Sequence, residues 1–151
     1  MENLQRQYKP ERLYAVGDTS ELEKIRAFVS EKASAMGFDE QDIMKITLAV
    51  DEACSNLIRH SYHHDASKEF CVEVSVSGDH FAIEILDSGA AFNPTTVPLP
   101  NLRQYAEQHR RGGFGVQIIR MTMDSVEYFP ADTTHPMNRL RLVKKIVSKL
   151  A

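Results

Sequence analysis

Residues 70–85 read FCVEVSVSGDHFAIEI, and this stretch decides the fold. Phe70, Val72, Val74 and Val76 alternate with Cys71, Glu73, Ser75 and Ser77. Gly78-Asp79 supplies turn chemistry, and Phe81, Ile83 and Ile85 then resume the alternation. A period of two on both sides of a short turn is an antiparallel hairpin with one buried face. Such a hairpin argues against a doubly wound parallel sheet.

Upstream, the period lengthens. Ile43, Ile46, Val50, Ala53 and Leu57 step by three and four, one apolar helical stripe that Asp39 is placed to cap and that ends near His60. An earlier helix carries Leu22, Ile25, Val29, Ala33 and Met36. Ser20 and Glu23 have capping-box spacing at its start, and Gly37 is placed to end it. Residues 13–16 read as a short first strand. Downstream, residues 90–111 are poorly periodic, with Pro94, Pro98, Pro100 and a short helical stretch near 102–107. A connection this long inside a domain is usually functional or mobile. A third helix follows at about 116–123, then strands at 125–129 and 138–146, where Leu140 and Leu142 alternate with Arg139 and Arg141. The whole reads as one α+β domain spanning 1–151. It is a two-layer sandwich with helices on one face of a mixed, mostly antiparallel sheet.

Composition narrows the function classes. A chain of 151 residues suffices for one hydrophobic core. The net charge of -3 gives no reason to expect direct nucleic-acid binding. No apolar run is long enough to span a membrane, and the opening MENLQRQYKPERLYAV is too polar for a secretory leader. Cys54 and Cys71 lack metal-ligand spacing and read as reduced, structural thiols of a cytoplasmic protein.

Three short segments carry chemistry. Glu52 and Asn56 lie four apart on the second helix, roughly 110° from the centre of its apolar stripe. A carboxylate there can accept a proton, and the amide oxygen one turn away can hold a hard cation such as magnesium. The plain alternative is a solvated helix side. Asp87-Ser88-Gly89 closes a strand: the aspartate can receive an amino group from a flat ligand, and the glycine permits close approach to the backbone. An ordinary Asp-x-Gly turn explains it equally well. Gly112-Gly113-Phe114-Gly115 opens a helix, where free N–H groups and the helix dipole favour an anion. A flexible hinge is the alternative. Arg103, His109, Arg110 and Arg111 precede those glycines and suit phosphate, although a charge run is usually a solvated face. His60, His63 and His64 are the one tempting metal cluster, but they lack the ligand set that zinc requires.

The order of these segments is more specific than any one of them. DEACSNLIRHSY resembles the N box of the histidine-kinase-like (Bergerat) ATPases, which unite gyrase, Hsp90 chaperones, histidine kinases and mismatch-repair ATPases. DSGAAFNP and RRGGFGVQIIR resemble the first and second glycine boxes of that family. The short chain and the ending NRLRLVKK are most similar to bacterial anti-sigma-factor serine kinases. The resemblance implies ATP and magnesium as cofactors. It implies Glu52 as general base, Asn56 as magnesium ligand and Asp87 as acceptor of the adenine amino group, with Gly89 beside it. Gly113, Phe114 and Gly115 would form the phosphate-binding box, Arg111 would approach the γ-phosphate, and residues 90–111 would be the ATP lid. Asn138 stands where many relatives carry an adenine-holding threonine. The implied partners are an anti-sigma-factor antagonist as substrate, a sigma factor or similar regulator, and a second copy of the chain.

Two readings stay open on this basis. One is a serine/threonine kinase that is also an anti-sigma factor. The other is a nucleotide-dependent protein-binding module in which no phosphate moves. Glu52 favours the first, because a pure binder has no need of a carboxylate there.

Overall fold

The hairpin forms where residues 70–85 place it. In a computed structural model describing residues 8–91, 93, 95 and 115–147, β2 (Glu69–Ser77) pairs antiparallel with β3 (His80–Asp87). Gly78 takes the positive φ, 60°, that a tight hairpin turn needs at its first central residue. The five strands run in the order β1 (Tyr8–Val16), β2, β3, β5 (Asn138–Lys145) and β4 (Ser125–Phe129), and all four pairings are antiparallel. The α+β reading holds, with helices packed on the sheet.

Helices α1 (Leu22–Ala35), α2 (Glu40–Asn56) and α3 (Gly115–Thr122) supply the second layer. Ile25, Val29, Ile46, Val50, Ile58 and Ile119 meet the inward row Phe70, Val72, Phe81, Ile83 and Leu142 in one core. The opposite sheet face carries a charged row, because Arg12, Glu73, Glu84, Arg141 and Glu127 are successive cross-strand partners. Arg12 pairs with Glu73 at 2.6 Å, and Glu84 with Arg141 at 3.0 Å. This explains why arginines alternate with leucines along β5.

The predicted caps divide. Asp39 caps α2 through the Asp42 N–H at 2.8 Å, and Gly37, at φ 87°, ends α1. The Ser20–Glu23 capping box does not form. A single 3₁₀ turn (Thr19–Glu21) precedes α1, and Asp18 caps it by accepting the Ser20 N–H at 2.9 Å. Asp18 stands just before that turn, so it reaches the free N–H groups first. The first strand also begins earlier than residue 13. Pro10 hides this in the sequence: it sits where the register of β1 shifts between Tyr8 and Glu11, as proline does on an edge strand. Among the described residues no helix is long and apolar enough to cross a membrane.

Gly17 joins β1 to the loop that follows α2. Its N–H donates to the Lys68 carbonyl at 3.0 Å, and a Cβ here would lie 2.4 Å from the Asp65 carbonyl oxygen. A backbone atom cannot yield cheaply, so Gly17→Ala is expected to cost about 1–3 kcal/mol, the usual range for overpacking. Urea denaturation checks this through a lowered midpoint at unchanged slope. An unshifted midpoint would mean that the two segments separate freely.

Candidate functional site

Asp87 and Asn138 are cross-strand partners at the ends of β3 and β5. The Asp87 Oδ1 accepts the Gly89 N–H at 2.8 Å and the Asn138 Nδ2 at 3.2 Å. Asn138 also donates from Nδ2 to the Gly89 carbonyl at 2.9 Å, and its Oδ1 accepts the Ala131 N–H at 2.9 Å. Both hydrogen bonds to Asp87 among the described residues fall on Oδ1, so Oδ2 has the capacity to receive an outside donor. Burial pushes the Asp87 carboxyl above its ordinary range, and the bonds from Asn138 and Gly89 act the other way. A buried, oriented carboxylate of this kind suits the amino edge of a flat base.

Two contacts at this corner add to what the spacing predicts. Asn138 stands behind Asp87: its two amide hydrogens are already used by Asp87 and Gly89, so it orients the carboxylate. Gly89 is a glycine because of protein packing. A Cβ there would lie 3.1 Å from both Ser61 Cβ and Tyr62 Cε1, so that direction is closed to a ligand.

Glu52 and Asn56 occupy the last two turns of α2, and both are partly exposed at the border of the core, as their spacing predicts. Desolvation raises the Glu52 carboxyl above its ordinary range; Asp51 adds to this and Arg59 opposes it. A carboxylate with raised proton affinity is a better base. The Asn56 amide offers a neutral oxygen one turn from that carboxylate, the type of donor that magnesium takes while keeping several waters. Helix α3, which Gly115 begins, packs along α2. Gly112, Gly113, Phe114, Arg111, most of the 90–111 segment and its predicted 102–107 helix lie outside the described residues. His60, His63 and His64 build no metal centre: no group of three metal-ligating residues converges among the described residues. Cys54 and Cys71 are free and buried.

Sequence reading missed Tyr62. After Asn56 the helix widens into a π-turn, Leu57–Ser61, with the Tyr62 N–H bonded to the Leu57 carbonyl at 2.9 Å. One extra residue per turn turns Tyr62 inward in place of Ser61, and its side chain is buried. The signal was present in the sequence as a slip of the apolar stripe by one position.

Residues 16–144 match the histidine kinase-like ATPase domain, and the chain therefore belongs to that family. Serine-protein kinases are among its relatives. It is 33% identical over 107 residues to the serine-protein kinase RsbW of Bacillus licheniformis, a match covering 68% of this chain and 66% of that one. The RsbW of Listeria monocytogenes is 29% identical over 108 residues, 69% of each chain. The chain thus spans about two thirds of the length of the Bacillus licheniformis kinase, 66%. Among solved structures, a chain of the SiaB–SiaC complex of Pseudomonas aeruginosa superposes with a TM-score of 0.64 at 16% identity, covering 92% of this chain and 90% of that one. The RsbU and RsbW domains of a Mycobacterium tuberculosis protein give the same TM-score, 0.64, at 14% identity, covering 95% of this chain and 35% of that one. At these identities the superpositions speak for the fold alone.

Proposed function

We propose that this chain is an ATP-dependent protein serine/threonine kinase that acts in the cytoplasm as an anti-sigma factor. It phosphorylates a serine or threonine of an antagonist protein and holds a sigma factor or similar regulator. The observation that carries the proposal is Glu52: a carboxylate of raised proton affinity at the core border, one turn before Asn56, on the helix against which α3 packs.

When bound, ATP supplies the γ-phosphoryl group, and magnesium supplies the charge that offsets its oxygens. Asp87 receives the adenine amino group, held in place by Asn138 and Gly89. Asn56 holds the cation. Glu52 takes the proton of the attacking hydroxyl. Gly115 begins α3, whose N-terminal N–H groups would hold phosphate oxygens; by resemblance to the family's second glycine box, Gly113, Phe114 and Arg111 would join them. Positioning and electrostatics do most of the work in such transfers.

The test incubates the purified chain with labelled ATP, magnesium and antagonist proteins encoded beside it. Label on a serine or threonine of the antagonist is the expected result. Nucleotide-dependent partner binding without transfer by the wild type would replace the kinase with a binding module. The same proposal includes a homodimer, so light scattering should read twice the 17.1 kDa chain mass. A monomer mass at micromolar concentration removes that part.

A further inference from the structure

We infer that Tyr62 is a positioning residue for the nucleotide base: it fixes the Asp87–Gly89 turn against the end of α2. This inference rests on the proposed nucleotide site. The Tyr62 hydroxyl accepts the Ser88 N–H at 3.1 Å and donates to the Glu69 carbonyl at 2.8 Å. The ring lies under Gly89, packs edge-on against Phe70 and carries Lys68 Nζ 5.6 Å from its centre.

The Ser88-Gly89 backbone is thereby gripped from two sides. Tyr62 holds Ser88 from the α2 side. Asn138 holds the Gly89 carbonyl from the β5 side. Asp87 sits between these grips, and its Oδ1 is bonded within the same turn. The hydroxyl of Tyr62 thus bonds the residue immediately after Asp87, where β3 ends. It is also one residue beyond the π-turn that ends the helix of Glu52 and Asn56. Removing the hydroxyl frees the Ser88 N–H and lets the turn sample other conformations, so Asp87 loses its fixed aim. Glu52 and Asn56 lie upstream of the π-turn and keep their helix. The loss therefore falls on base recognition and leaves the transfer step.

Tyr62→Phe retains the ring, so its packing against Gly89 and Phe70 remains. Expected are a roughly tenfold weaker ATP affinity, a matching rise in KM, and a kcat within about twofold of wild type. The preference for ATP over GTP should fall by a similar factor. Amide exchange on the nucleotide-free chain gives a second readout: Ser88 and Gly89 should exchange faster in the variant, and Ile83 in the sheet centre should not. Equal ATP affinity and selectivity in Tyr62→Phe overturns the inference. So does faster exchange everywhere, which would mark a merely structural tyrosine. Failure of the wild type to bind ATP overturns the nucleotide site itself. In that case Ser88 exchange still reports whether Tyr62 holds the turn.

Discussion

Glu52→Gln is expected to lower phosphate transfer roughly 10²–10⁴-fold, the usual contribution of a general base, with ATP affinity nearly unchanged. Glutamine keeps the shape and reach of the side chain and removes only the ability to take a proton. The environment of Glu52 makes a further demand. Its folded-state pKa is raised, mainly by desolvation, so the protonated form persists to higher pH than for an ordinary glutamate. Only the ionised form can act as base. The wild-type rate should therefore fall as pH drops through that raised value, and this acid limb should be missing from the residual rate of Glu52→Gln. The linkage sign follows from the same shift: ionised Glu52 is disfavoured in the fold, so Glu52→Gln should be at least as stable as wild type at neutral pH. Asn56→Ala gives the contrasting pattern, a loss of magnesium-dependent binding itself. The measurement is a transfer assay beside a nucleotide titration, each across pH. Equal transfer by wild type and Glu52→Gln would remove Glu52 from the mechanism.

How far these expectations could be read from sequence depends on what each residue answers to. The hairpin was legible because Val72, Val74, Ile83 and Ile85 are governed by one rule, burial of alternate side chains. The stripe of α2 and its Asp39 cap were legible for similar local reasons. Ser20 misled because a 3₁₀ turn and a helix start compete for the same N–H groups, and Asp18 reached them first. Glu52, Asn56 and Asp87 could be singled out by order and spacing. The role of Asn138 could not, because it depends on a partner 51 positions away across the β3–β5 register. Tyr62 escaped for another reason: a π-turn breaks the period on which helical reading relies. The spacing marks Gly89 as a place of close approach, but that Ser61 and Tyr62 pack against it depends on the π-turn.

Asp87→Asn should separate stability from binding. The change keeps an acceptor oxygen at Oδ1, so the Gly89 N–H and Asn138 amide bonds can persist. At the other position it replaces an acceptor with an amide donor. That donor would face the amino group of adenine, donor against donor. Hydrogen bonds to charged groups contribute about 1.5–3 kcal/mol, so ATP affinity should fall roughly 10- to 150-fold. Discrimination between ATP and GTP should shrink with it. Stability should move in the opposite direction. Burial raises the folded-state pKa of Asp87 above its unfolded value. The stability linked to this group is then fully present below the unfolded pKa and is lost as pH rises through the folded pKa. At neutral pH the wild type bears that loss and Asp87→Asn does not. The variant should therefore have the higher urea midpoint at pH 7, with the advantage shrinking in acid as the wild-type carboxyl is protonated. Calorimetric titration with ATP and GTP, beside urea denaturation at pH 7 and in acid, reads both effects. Unchanged ATP affinity in a folded Asp87→Asn protein would mean that the base binds elsewhere. A lower midpoint at pH 7 would instead show that the negative charge at Asp87 helps hold the β3–β5 corner together.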